Sequence, residues 1–176
     1  MHMQWVKSVI LVLSLALAPL LTAAELKVGD PAPDFSLQAS DGKVYRMADF
    51  RGRQAVVIAW FPRAFTHGCT IECRSLARSG HLIRRYDVSY FMASVDPLED
   101  NTRFAEQSGA DFPLLSDPTG EVARAFGVLG GAGMANRHTV YIDRAGTVVR
   151  IDTAVRPETS AEDMAAALAE LGVATR

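Results

Sequence analysis

The sequence predicts an α/β layered fold with a mixed central sheet flanked by helices, and three observations carry that expectation. An unbroken apolar run, Ala55 to Trp60, passes through a short loop into an amphipathic segment that begins near Cys69. Apolar runs then alternate with helix-length segments as far as Phe126, the pattern of strands connected by helices. Near the C-terminus two further runs flank Arg144-Ala-Gly146 at hairpin spacing, which makes the sheet mixed. The 176 residues suffice for one domain with a full core, and no internal repeat, low-complexity tract or second domain is visible.

In chain order, Met1 to Ala24 holds Lys7, an apolar run from Val9 to Leu21 broken only by Ser14 and Pro19, and then Thr22-Ala23-Ala24. This is a signal-peptide pattern: the run is short for a membrane span of about 20 residues, and small residues follow where a signal peptidase cuts. Cleavage is expected after Ala24, leaving residues 25–176 as a periplasmic or secreted domain with no stable membrane association. An uncleaved signal would instead anchor the domain to the outer face of the inner membrane.

Pro31 and Pro33 exclude a helix and favour an extended opening. Asp41-Gly42 is a hairpin signal between Phe35-Ser-Leu37 and Val44-Tyr45. After the buried strand, Cys69, Cys73, Leu76, Ala77, Gly80, Ile83 and Tyr86 recur at three- and four-residue steps, one face of a helix. Val88 to Val95 reads as a strand, Glu99 to Ser108 as a helix and Phe112 to Leu115 as a short strand. Ser116-Asp-Pro-Thr-Gly120 is turn chemistry feeding a helix through Phe126. Gly130-Gly-Ala-Gly133 is a mobile connection, because a phosphate cradle lies between a strand and the following helix whereas this loop follows a helix. His138 to Asp143 and Thr147 to Asp152 are the hairpin strands. Ser160 with Asp163 looks like a capping box, Met164, Leu168 and Leu171 mark an apolar stripe, and Gly172 ends the last helix.

The formal charge is −2, and loss of Lys7 with the signal would make it one unit more negative. No Lys/Arg block stands out along the chain, which argues against nucleic acid or anionic membrane surfaces as partners.

Both cysteines lie in the stretch Trp60 to Cys73. In the first turn of a helix, Cys69 would meet unpaired backbone N–H groups and the helix dipole, which stabilise an anion. The thiolate is the nucleophilic form of cysteine, so such a position beside cationic side chains signals reactivity. Arg63, His67 and Arg74 are the nearby candidates for that charge.

This stretch also carries a resemblance. Pro62-x-x-x-Thr66-x-x-Cys69 matches the P-x-x-x-T-x-x-C motif of peroxiredoxins, and Gly68-Cys69-Thr70 resembles their peroxiredoxin Q, or bacterioferritin comigratory protein, branch. Ala32-Pro-Asp-Phe35, Asp49-Phe50-Arg-Gly52, Val95-Asp-Pro97, Phe112-Pro-Leu-Leu-Ser-Asp-Pro118 and Val122 to Val128 extend the likeness over roughly residues 26–152. It implies a thioredoxin-like fold with peroxiredoxin additions. The implied activity is peroxide reduction, in which Cys69 attacks the O–O bond and becomes a sulfenic acid. Thr66 would supply a hydroxyl to the site and Pro62 would shape the loop and shield the thiolate. Arg137-His-Thr-Val-Tyr-Ile-Asp143 matches the family's R-x-[ST]-x-x-[IV]-D pattern, so Arg137 would polarise the peroxide. The implied partners are hydrogen peroxide or a small organic hydroperoxide and an exported thioredoxin-like or small-thiol reductant, with no metal or organic cofactor.

Cys73 departs from the branch, whose resolving cysteine usually falls five residues after the peroxidatic one; here it falls four after. Helical residues four apart have Cβ atoms about 5–6 Å apart, and a disulfide wants about 3.5–4.5 Å. Cys73 is therefore either a resolving cysteine that requires the first turn to unwind or a core cysteine beside Leu76 and Ile83. His67, where the family commonly has proline, either tunes Cys69 or is a solvated loop residue. A reading from another class uses Cys69, Cys73 and His138 as soft copper ligands, in the manner of exported SCO-type chaperones. Against it stand the Pro62, Thr66, Cys69 and Arg137 set and the lack of the prolines that usually flank cysteines in that family. A thioredoxin-like disulfide reductase is weaker still, because C-x-x-C spacing is absent.

Overall fold

The computed structural model describes residues 26–176, so the expected signal segment lies outside the described residues. Among the described residues no helix is long and apolar enough to cross a membrane. Seven strands form one mixed sheet in the order β2-β1-β5-β4-β3-β6-β7: β1 Ser36–Ala39, β2 Val44–Arg46, β3 Ala55–Trp60, β4 Val88–Ser94, β5 Leu114–Ser116, β6 His138–Ile142 and β7 Val148–Asp152. β3, β4 and β5 are parallel, and the remaining pairings are antiparallel. The helices are α1 His67–Ile83, α2 Leu98–Ser108, α3 Glu121–Ala125 and α4 Ser160–Glu170.

β3 is apolar throughout because both of its faces are covered. Val57, Ala59 and the following Phe61 face a core shared with α1, α2 and α4. Val56, Ile58 and Trp60 face a second core formed with β1, α3 and the segment from Phe126 to Ala135. Each face buries apolar surface on the same strand, which holds the C-terminal end of β3 rigid where the Cys69 loop begins.

Several sequence expectations need correction. α1 stops at Ile83, and Tyr86 bridges Thr175 instead of continuing the helical face; the chain must turn there so that Val88 can pair with Ala55. Pairing in β5 starts only after Pro113, which has no N–H to donate. Ser160 is the first helical residue of α4 and not its cap: Thr159 takes that position, and its hydroxyl donates to Asp163 at 2.8 Å. The glycine loop is a hydrogen-bonded hairpin, closed by Gly130 N–H to Met134 O (2.8 Å) and Asn136 N–H to Val128 O (2.7 Å), with Gly133 taking the left-handed conformation.

Candidate active site

Cys69 is the third residue of α1, after the N-cap Thr66, and is fully buried. The loop from Phe61 to Thr66 carries the chain there from β3. Phe61 N–H bonds Ala93 O at 2.9 Å and Ala64 N–H bonds Asp96 Oδ2 at 2.9 Å, so β4 and its following turn anchor the loop. Phe65 adopts φ 64°, a costly conformation for a bulky side chain, while its ring packs edge-on against Phe104 at 5.4 Å. Among the described residues it is the only non-glycine with positive φ, and it sits four residues before the thiol.

Arg137 arrives from the opposite side. The antiparallel register sets His138 against Trp60, which places Arg137 where β3 enters the loop. Its Nη2 donates to Cys69 Sγ at 3.1 Å, and its Nη1 pairs with Glu72 Oε2. Gly68 permits this approach, since a Cβ there would lie 3.3 Å from Nη2. Burial opposes the charge of Arg137, but Glu72 and Cys69 beside it hold its pKa above the ordinary value. The guanidinium thus links a buried carboxyl to the sulfur through two separate nitrogens.

Glu72 is wholly inaccessible. Burial pushes its carboxyl up from 4.5 to about 7, while the Arg137 charge and hydrogen bond and the Ser160 hydroxyl, 3.5 Å from Oε1, pull the other way. Because the folded state holds this proton more tightly than the unfolded chain, its contribution to stability is complete below pH 4.5 and is lost as pH rises through about 7. The difference in unfolding free energy between the native protein and Glu72→Gln should therefore shift by roughly 3 kcal/mol against the native protein from pH 4.5 to pH 8. Paired denaturant titrations at the two pH values measure it; a pH-independent difference would mean that the carboxyl is not held protonated by burial.

The other sequence candidates fall in distinct places. Thr66 is exposed, and its hydroxyl donates to Arg63 O at 2.9 Å instead of capping the helix. Pro62 is half-buried in the loop. Arg63, His67 and Arg74 are exposed and make no hydrogen bond to Cys69, so Arg137 supplies the cation that touches the sulfur. Cys73 is free and fully buried; burial pushes its thiol up to about 12, against the opposing hydrogen bond of Ser108. His138 lies on β6 opposite Trp60, and burial lowers its pKa. Among the described residues no group of three or more His, Cys, Asp or Glu side chains is arranged to hold a metal, so Cys69, Cys73 and His138 do not converge as a copper site.

Glu72, Asp96 and Phe65 were missed by sequence reasoning. A signal existed for the first: Glu72 falls on the stripe of Cys69, Cys73 and Leu76, an acid placed on a buried face.

The model of the AhpC/TSA family matches residues 28–151. Alkyl hydroperoxide reductase E of Mycobacterium tuberculosis is 38% identical over 126 residues, covering 70% of this chain and 82% of that one. Peroxiredoxin Bcp of Escherichia coli is 39% identical over 105 residues, 60% of this chain and 67% of that one. The crystal structure of peroxidoxin BcpB from M. tuberculosis superposes with a TM-score of 0.75 at 30% identity, covering 84% of this chain and 99% of that one, so the mixed sheet is the thioredoxin-like peroxiredoxin fold. The chain belongs to the AhpC/TSA family, in its bacterioferritin comigratory protein-like peroxiredoxin branch.

Proposed function

We propose that this protein is a thiol-dependent peroxidase whose attacking group is Cys69. One observation supports the assignment above all others: Arg137 Nη2 donates to Cys69 Sγ at 3.1 Å in the first turn of α1. The names of the relatives, an alkyl hydroperoxide reductase and a peroxiredoxin, agree with it. The Cys69 sulfur attacks one peroxide oxygen, an S–O bond forms, and the O–O bond breaks. Sulfur is oxidised to a sulfenic acid while the second oxygen leaves with the electron pair and, once protonated, departs as water or an alcohol.

The negative charge that moves onto the leaving oxygen needs donors already in place. Nη2 of Arg137 carries two protons and gives one to the sulfur, so the other is available to a peroxide oxygen. Thr66 spends its proton on Arg63 O, which leaves its lone pairs to accept the O–H of the peroxide. Pro62 closes the loop side of the thiol.

Resolution follows by attack of Cys73 on the sulfenic sulfur, giving a disulfide and water, or by an external thiol at the same atom. The Cys73 route requires the start of α1 to unwind, because Cys73 is buried in the core with Phe61, Leu76 and Phe104. The signal pattern in residues 1–24 supports export, and with it an exported thioredoxin-like or small-thiol reductant. In the presence of dithiothreitol the protein should consume hydrogen peroxide catalytically, and Cys69 should react far faster than free cysteine. Reaction no faster than an ordinary free thiol would refute the peroxidase assignment.

A further inference from the structure

α1 carries the catalytic turn, and its solvent face has an unusual composition. The exposed residues of the helix are His67, Arg74, Arg78 and His81, every one a basic type. Its single acid is the buried Glu72. Steps of seven, four and three residues keep the four side chains on one stripe, about 21 Å from end to end at 1.5 Å per residue. Arg63, exposed in the preceding loop, extends the series at the Cys69 end, and Arg85, exposed just past the helix, extends it at the other.

The positive charge on this face is uncompensated. Arg51, Arg84, Arg150 and Arg156 pair with Asp34, Asp111, Glu170 and Asp163. Among the described residues Arg63, Arg74, Arg78 and Arg85 have no such partner within 4.0 Å. Two acidic residues hydrogen-bond to α1 from the segment packed against it, Glu158 through its carbonyl to the Ser75 hydroxyl at 3.1 Å and Glu162 through its carboxylate to the Ser79 hydroxyl at 2.8 Å, and neither forms an ion pair among the described residues. Arg74 and Arg78 stand at i,i+4, where like charges repel. The whole chain is nevertheless net negative, so this face runs against the overall charge.

We propose that the α1 stripe is the docking face for an acidic, protein-sized thiol reductant, which lies along the helix and presents its dithiol to Cys69. The proposal rests on the peroxidase reading and names the partner chemistry of that same site. The stripe begins at the turn that holds Cys69 and is several times longer than a small thiol, which would meet only one or two of its charges. The apolar side chains of the helix are buried or half-buried, so association is steered by charge and readily reversed, as a partner that must leave after every turnover requires. One thiolate of the reductant attacks oxidised Cys69, displacing hydroxide from the sulfenic acid, or displaces the Cys73 thiolate if the disulfide has formed, in which case the start of α1 has unwound and docking rests on Arg74, Arg78 and His81 beyond it. Its second thiol then releases the Cys69 thiolate and closes the reductant's own disulfide, so the reductant supplies both electrons.

The test uses the full chain oxidised with hydrogen peroxide and three reductants. These are an acidic thioredoxin, the same thioredoxin with its surface carboxylates neutralised, and dithiothreitol. The acidic thioredoxin should re-reduce the protein fastest, with a rate constant that falls steeply with salt. Arg74→Glu/Arg78→Glu should lower that constant by at least about tenfold. Turnover with dithiothreitol and oxidation of Cys69 by peroxide should stay unchanged, which also shows that the variant is folded. Arg74→Gln/Arg78→Gln provides a milder pair with a smaller loss in the same direction. Failure of the acidic thioredoxin to reduce the protein, equal rates with its neutralised form, or no effect of the double substitution would each overturn the proposal. Binding to phosphatidylglycerol vesicles that the double variant abolishes, with thioredoxin rates unaltered, would assign the stripe to a membrane surface and overturn it too. Loss of peroxide reactivity in the unmodified protein would strike the peroxidase reading instead.

Discussion

Cys69→Ser is expected to abolish catalytic peroxide consumption while leaving the fold intact. Serine is close to cysteine in size and can still accept from Arg137 Nη2, so the first turn of α1 keeps its contact. What disappears is the sulfur nucleophile, since a serine hydroxyl needs an adjacent general base and, among the described residues, the side chain hydrogen-bonded to residue 69 is a guanidinium, which cannot take its proton. Peroxide consumption with dithiothreitol should fall to the uncatalysed rate. A surviving catalytic rate would assign the chemistry to another group, with Cys73 the first to examine.

Arg137→Ala should slow the reaction of Cys69 with hydrogen peroxide by about 10²–10³-fold, the usual cost of removing one donor to a developing oxyanion. Arg137→Lys separates charge from geometry. Lysine keeps the positive charge but lacks the planar fork, so it cannot serve Cys69 and Glu72 from two fixed nitrogens. Its rate should fall between those of the native protein and the alanine variant. Rapid-mixing measurement of thiol loss under excess peroxide gives the three rate constants. Equal rates for all three proteins would mean that the guanidinium does not act on the reacting atoms.

The buried strand Ala55–Trp60, the alternation that follows it and the terminal hairpin were legible because each obeys a simple periodicity or a turn signal. Tyr86 was assigned to α1 because the three- and four-residue steps happen to continue past Ile83; only the pairing of Val88 with Ala55 ends the helix. The order of charges at the site was harder to read. Arg63, His67 and Arg74 are neighbours of Cys69 in sequence, yet the cation on the sulfur comes from a residue 68 positions away. That contact depends on β6 lying antiparallel to β3, and pattern in the sequence alone does not specify the register. The motif resemblance pointed to Arg137 for a different reason, the spacing Arg137-x-Thr139-x-x-Ile142-Asp143. Glu72 was passed over although its place in the buried stripe marked it. The basic stripe of α1 was hidden because its members are scattered along the chain and gather only on the helix surface.

Intact mass of the reduced, metal-free protein after near-stoichiometric hydrogen peroxide and a thiol-alkylating quench tests the central assignment most directly, with Cys69→Ser and Cys73→Ser alongside. The native protein should lose thiol rapidly, Cys73→Ser should trap a sulfenic acid on Cys69, and Cys69→Ser should show no rapid oxidation. Loss of both thiols in the native protein, without an added oxygen, identifies Cys73 as the resolving group; retention of one alkylatable thiol leaves resolution to an external thiol. Oxidation of Cys69→Ser as fast as the native protein, or a Cys69 no more reactive than free cysteine, would contradict the account.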